Sequence, residues 1–138
     1  MKKARNSVKV REYMSKRLIT LKPETNVVEA MDVLLKAKIS GAPVVDDDGK
    51  LVGILSEVDL MQIIVQDSYY DESMGIVGDY MRSPVDTISP ELDIYTLAEM
   101  FISQSRRRYP VVSEGRLVGQ ISRRDVLRAA EAFLHHEK

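Results

Sequence analysis

The 138-residue sequence has no cysteine. Disulfides, thiolate nucleophiles and cysteine-based zinc sites are thereby excluded, and the redox compartment is left open. Histidine is nearly as scarce. The only two, His135 and His136, stand side by side near the C-terminus. Adjacent residues do not share a helix face and no carboxylate partner is evident, so no metal site is expected there. Histidines confined to that tail cannot build a Ser/His/Asp arrangement. There is no glycine-rich Walker loop, so an enzyme is disfavoured for want of a nucleophile, base or metal set. No apolar run approaches the length needed to cross a bilayer. Met1-Lys2-Lys3-Ala4-Arg5-Asn6 is basic, but no apolar segment follows, so it is not a signal peptide, and a cytoplasmic protein without membrane attachment is expected. Lys and Arg number 20 against 21 Asp and Glu, a net charge of −1, which gives no global pull toward nucleic acid or an anionic membrane.

What is present is an ordinary globular balance, 44% hydrophobic and 30% charged, enough for one compact domain or two tightly joined small repeats. The sequence favours repeats. Gly53-Ile54-Leu55-Ser56-Glu57-Val58-Asp59 returns as Gly119-Gln120-Ile121-Ser122-Arg123-Arg124-Asp125. The lead-in returns too: Pro43-Val44-Val45 and Gly49-Lys50-Leu51-Val52, then Pro110-Val111-Val112 and Gly115-Arg116-Leu117-Val118.

Along the chain, residues 1–9 and 134–138 read as tails and 67–76 as the linker. Val10, Tyr13 and Met14 predict a short helical turn, echoed by Val77, Tyr80 and Met81. Leu18–Leu21 and Val85–Ile88 are short strand candidates, stopped by Pro23 and Pro90. Asn26 predicts an N-cap with Glu29 at the capping-box position. Behind it Val27, Ala30, Met31, Leu34 and Leu35 recur with helical spacing, and Gly41 ends the helix. Asp93 caps the matching helix, with Ile94, Leu97, Ala98, Phe101 and Ile102 on its apolar face. Ala42–Val45, the Asp46–Gly49 turn and Leu51–Leu55 predict a hairpin. Tyr109–Val112 and the shorter Glu114-Gly115 turn predict its counterpart. Helices follow from Ser56 to about Val65 and from Ser122 to about Phe133. Each half, 10–66 and 77–133, thus reads β-α-β-β-α, an α/β (α+β) protein whose halves bury apolar faces against each other.

The duplicated Ser-x-x-Asp admits two readings. Serine at an N-cap with an acid three residues on is a capping box. Alternatively, a helix N-terminus seats a phosphate, and a carboxylate beside it accepts two hydroxyl hydrogen bonds from a ribose diol. A nucleotide satisfies both features, and Gly53 and Gly119 permit close approach of backbone or ligand. Arg106-Arg107-Arg108 is either a solvated charge run at a helix end or a phosphate clamp. A nucleic-acid patch formed with Arg116, Arg123, Arg124 and Arg128 is disfavoured, since no aromatics are interleaved.

Taken together, the Met14 and Met81 lead-ins, the Pro-Val-Val strands and Leu-Val-Gly followed by Ser-x-x-Asp resemble a tandem pair of cystathionine β-synthase (CBS) domains, a Bateman module, over roughly residues 10–133. The resemblance implies a stand-alone module whose two repeats pack about a pseudo-two-fold axis. It implies an adenosine-containing ligand (AMP, ADP or ATP) in the clefts between them, with no other cofactor, and assembly as a homodimer read by a separate effector protein. Asp59 and Asp125 match the family's ribose-binding aspartate, and Ser56 and Ser122 its ribose-phosphate contact. Ile19-Thr20-Leu21 and Asp86-Thr87-Ile88 match the strand lining the adenine slot, with Ala42, Pro43, Tyr109 and Pro110 nearby. Asp86 is a polar departure from that apolar slot. Arg107 and Arg108 match the basic position that reaches the phosphate held by the other repeat; Ser40 and Gly41 are their uncharged counterparts. The Asp59 site is therefore expected to be the better anion site. A structural module with empty clefts that docks a partner protein is the alternative.

Overall fold

The structure, a computed structural model, describes residues 8–67 and 75–136. Most of the linker and the outer parts of both tails lie outside the described residues. The chain forms two compact units. One is drawn from residues 19–85, the other from residues up to 18 together with those from 86 onward.

In the unit of residues 19–85, helix α1 (Val27–Ala37) precedes strands β1 (Gly41–Val45) and β2 (Leu51–Ser56) and helix α2 (Glu57–Asp67). Asn26 caps α1: its side-chain oxygen accepts the Val28 N–H at 2.8 Å. The helix ends at Lys38, three residues before the expected Gly41. Lys38 enters the left-handed region at φ 58°, which frees the Ile39 N–H to close on the Leu34 carbonyl at 3.1 Å, a Schellman-type end. Gly41 instead opens β1, opposite Ser56. On α1, Val27, Ala30 and Leu34 are buried while Leu35 is 76% exposed. Eight steps of 100° place Leu35 about 80° off the buried line through Val27.

The expected strand at Leu18–Leu21 shrinks to one rung, a parallel bridge from Leu21 to Val44. The Leu21 N–H reaches the Pro43 carbonyl and the Val45 N–H reaches the Leu21 carbonyl, both at 2.9 Å. The next rung on one side would need an N–H from Pro43, and on the other an N–H from Pro23. Neither proline has one. The same holds in the other unit, where Val85–Ile88 supplies only the Ile88–Val111 bridge, between Pro110 and Pro90.

The second unit holds α3 (Ile94–Gln104), β3 (Arg108–Ser113), β4 (Arg116–Ser122) and α4 (Arg123–His136). Asp93 caps α3, as expected: its carboxylate accepts the Thr96 N–H at 2.9 Å and the Thr96 hydroxyl at 2.7 Å. The side-chain bond to Thr96 holds the Asp93 carboxyl below the usual aspartate range. Both hairpins pair antiparallel with a register shift, at Val44/Val45 and at Val111/Val112. The tighter β3–β4 turn places Glu114 and Gly115 at φ 53° and 81°, as a two-residue hairpin loop demands.

The 3-10 turns Val10–Glu12 and Val77–Asp79 form where the Val/Tyr/Met lead-ins predict helical turns. Their placement was not legible locally. Val8 and Val10 enter the core of Leu97, Phe101, Tyr109 and Val111. The Val10 N–H bonds the Leu92 carbonyl at 2.8 Å and the Ile94 N–H the Val8 carbonyl at 2.9 Å. Val77 enters the core of Leu21, Val27, Val44 and Leu55, with its N–H on the Thr25 carbonyl at 2.8 Å. Each lead-in thus completes the body of the repeat that it does not precede directly.

Candidate functional site

Both copies of Ser-x-x-Asp form the full reciprocal cap. Ser56 ends β2 and Asp59 lies in the first turn of α2. The Ser56 N–H and hydroxyl both donate to Asp59 Oδ2 at 2.9 Å, and the Asp59 N–H donates back to Ser56 Oγ at 3.3 Å. Ser122 and Asp125 repeat this between β4 and α4, at 2.8, 3.1 and 3.3 Å. The helix entries match as well. The Glu57 N–H bonds the Ser40 carbonyl at 2.9 Å, and the Arg123 N–H bonds the Arg107 carbonyl at 3.2 Å. The capping reading of the motif is thus realised twice.

A cap does not require burial, yet both aspartates are 5% exposed. A buried carboxylate needs partners for each oxygen. In both copies the cap occupies Oδ2 and an arginine takes Oδ1. For Asp59 that arginine is Arg82, whose Nε donates at 2.8 Å from a side chain 63% exposed. For Asp125 it is Arg128, one helical turn on. Neither residue is legible as a site residue from the motif. Arg128 had a signal, the i,i+3 acid–base spacing on one helix. Arg82 had none, being 23 residues from Asp59 in sequence and brought there by the Ile54–Arg82 bridge.

The motif glycines admit backbone and a methionine. A Cβ on Gly53 would stand 2.6 Å from Met81 Sδ and 3.1 Å from the Arg82 carbonyl oxygen. One on Gly119 would stand 2.5 Å from Met14 Sδ and 3.1 Å from the Ser15 carbonyl oxygen. Each motif glycine is therefore a close-packing position for the lead-in methionine of its own unit.

The remaining site candidates divide between the units. In the unit of residues 19–85, Ile19 and Thr20 are exposed, while Ala42 and Pro43 are buried in β1, opposite Leu55 and Ile54. In the other, Thr87 is exposed and Pro110 is buried. Tyr109 is a core residue at 1% exposure; its ring lies 5.1 Å from that of Phe101 and its hydroxyl donates to Gln104 at 2.6 Å. Asp86 is neutralised at the surface by Arg106, which also lies over the Tyr109 ring at 5.8 Å. Arg107 is exposed and Arg108 half-buried, opposite Ser122 in the ladder; neither guanidinium has a bonded partner among the described residues. Arg123 turns its Nε onto the Arg106 carbonyl at 2.6 Å. Among the described residues there is no cluster of three or more potential metal-ligating side chains and no helix long and apolar enough to cross a membrane.

Two mixed α/β repeats, each ending in a buried Ser-x-x-Asp cap, match the family model described as CBS domain over residues 10–66 and 77–132. The chain belongs to the CBS domain family. Among solved structures it is similar to that of CBSX2 of Arabidopsis thaliana in complex with AMP, at 31% identity, covering 95% of this chain and 99% of that one with a TM-score of 0.79. It is also similar to the CBS domain pair of protein MJ0100 in complex with 5′-methylthioadenosine and S-adenosyl-L-methionine, at 26% identity, 91% and 97% coverage and a TM-score of 0.72. An uncharacterized protein of Methanocaldococcus jannaschii, MJ1225, is 33% identical over 119 residues, 86% of this chain. The chain spans 41% of that relative's length.

Proposed function

We propose that this protein is a non-enzymatic regulatory module that binds an adenine nucleotide (AMP, ADP or ATP) in clefts between its CBS repeats. Binding shifts the relative packing of the repeats or of a homodimer, and a separate effector protein reads the shift. The observation that carries this reading is the pair of buried aspartates at helix N-termini, each with a serine partner. The likeness to CBS-pair structures solved with AMP and with S-adenosyl-L-methionine supports an adenosine-containing ligand.

Of the proposed sites, the one using Asp59 is the tighter anion site. Arg107 and Arg108 are proposed to reach its phosphate from the other repeat, where the Asp125 site has only Ser40 and Gly41. That both guanidiniums are unpaired among the described residues supports the assignment. A charge-assisted hydrogen bond is worth about 1.5–3 kcal/mol, about tenfold or more in affinity. Ile19, Thr20, Pro43, Thr87 and Pro110 are proposed as the adenine-slot lining, and Ser56 and Ser122 as ribose-phosphate contacts.

Mass spectrometry of ligand released from the denatured, purified protein tests the ligand class directly. Calorimetry with AMP on wild type, Asp59→Ala, Asp125→Ala and Arg108→Ala tests the sites. The tight phase is expected to vanish with Asp59→Ala, weaken with Arg108→Ala and survive Asp125→Ala. Loss of the tight phase in Asp125→Ala alone would reverse the assignment. A module with unoccupied clefts would show no melting-temperature rise with any adenine nucleotide, since a ligand selective for the folded state must raise it.

A further inference from the structure

Each motif aspartate is already engaged. Asp59 receives three donors: the Ser56 N–H and hydroxyl on Oδ2 and Arg82 Nε on Oδ1. A carboxylate offers about four acceptor positions, so one remains. A ribose diol brings two donors. One existing bond must therefore break before a diol is seated on Asp59.

The candidates for release differ in what becomes of them. The Ser56 N–H belongs to a part-buried backbone turn. The Ser56 hydroxyl is part-buried and also accepts the Asp59 N–H, so turning it away leaves a donor without a partner inside the fold, which is costly. Arg82 is 63% exposed, and its guanidinium returns to water with its hydration restored. Releasing it leaves no donor unpaired inside the fold, and the diol's own donors take its place on the buried carboxylate. Arg82 is thus the group that yields.

We infer that Arg82 is a built-in competitor for the diol: it neutralises Asp59 in the free protein and must leave Oδ1 for a ribose to bind. This rests on the nucleotide reading above and adds a residue that sets its affinity. Arg128 holds the same position on Asp125 Oδ1, with its side chain 62% exposed. The two arginines reach equivalent oxygens from unrelated elements. Ser15 stands where Arg82 does in the other lead-in, and Gln62 stands where Arg128 does on the other helix. The buried carboxylate oxygen that the cap leaves open is thus met twice by an exposed arginine, by different means.

The test uses adenosine, which has the diol and no phosphate, so that loss of a cation acts only through the carboxylate. Calorimetry compares the full chain with Arg82→Ala and with Arg82→Gln, which retains a neutral donor and guards against a folding defect in the alanine variant. Arg82→Ala is expected to bind adenosine up to about fivefold more tightly than wild type, with Arg82→Gln between them. Binding of 2′-deoxyadenosine, which lacks the diol, is expected to be the same in all three. Wild-type affinity for adenosine is expected to rise with added salt, which weakens the ion pair, while that of Arg82→Ala stays flat. Equal or weaker adenosine binding by both variants, with AMP still bound by wild type, overturns the competition and leaves the nucleotide reading standing. Failure of AMP and adenosine to bind any of the three overturns both.

Discussion

Asp93 and Asp59 are both helix-capping aspartates, yet their environments assign them different work. The Asp93 carboxylate is hydrogen-bonded to Thr96 of its own helix, and Lys9 pairs with Asp93 in an antiparallel bridge. Asp59 meets a strand end, its helix and a distant arginine. For Asp93 the consequence is thermodynamic. Its carboxyl is held below the usual range in the folded protein, chiefly by the Thr96 side chain. A lowered folded value means stability that is complete above the unfolded value and is lost as pH falls through the folded one. Asp93→Ala is expected to cost about 1 kcal/mol at neutral pH, and the difference from wild type should shrink in acid; thermal melts across that range check both. The motif glycine yields a second prediction at this scale. Gly53→Ala drives a Cβ into the Met81 side chain and toward the Arg82 carbonyl, with an expected loss of about 1–3 kcal/mol. Met81→Ala in the same chain should restore part of it, because the thioether is the nearer obstacle; a double-mutant cycle in denaturant measures the coupling.

Among the elements, the helices obey the spacing of their apolar residues except at the last position. Leu35 and Ile102, at the same place in α1 and α3, are 76% and 83% exposed. The two helices also end alike, in left-handed residues that are not glycine, Lys38 at φ 58° and Ser105 at φ 53°. The conformation carries a steric cost for any side chain with a Cβ. Lys38→Gly is therefore expected to stabilise the protein by about 0.5–1 kcal/mol, read as a shift of the unfolding midpoint. The strands show the opposite case, where local sequence overstates structure. Ile19-Thr20 and Asp86-Thr87 belong to no ladder because prolines interrupt both sides. Of the residues proposed to line the adenine slot, Ile19, Thr20 and Thr87 thus lie outside the ladders.

For the whole molecule, the pertinent feature is that each unit carries exposed apolar side chains. The helices α2 and α4 carry Val58, Met61, Ile64, Val65 and Leu127 with 45–67% exposure. Leu60 and Ile63 of α2 are instead 5% and 1% exposed, in the core. Val126, Ala130 and Phe133 line an apolar groove with Val8 and Ile94. So much outward apolar area on a small chain is expected to be covered by a second copy. Sedimentation at micromolar concentration should show a dimer, and Met61→Lys with Leu127→Lys should shift it toward monomer. A monomer alone in the wild type would refute this.

Repeat number, the order of helices and strands, both hairpins and the pairing of Ser56 with Asp59 and of Ser122 with Asp125 were readable because each depends on residues within about one helical turn or one tight turn of each other. The prolines that cut the first strand of each repeat to a single rung were visible too, though their effect depends on which strand lies alongside. Other features come from residues far apart in the chain. Val8 and Val10 complete the core around Tyr109, Met81 fills the space over Gly53, and Arg82 closes on Asp59 from 23 positions away. Local spacing carries no information about which lead-in packs on which sheet, since the two are nearly the same in sequence. Burial of apolar surface made that choice, and with it brought Arg82 to Asp59.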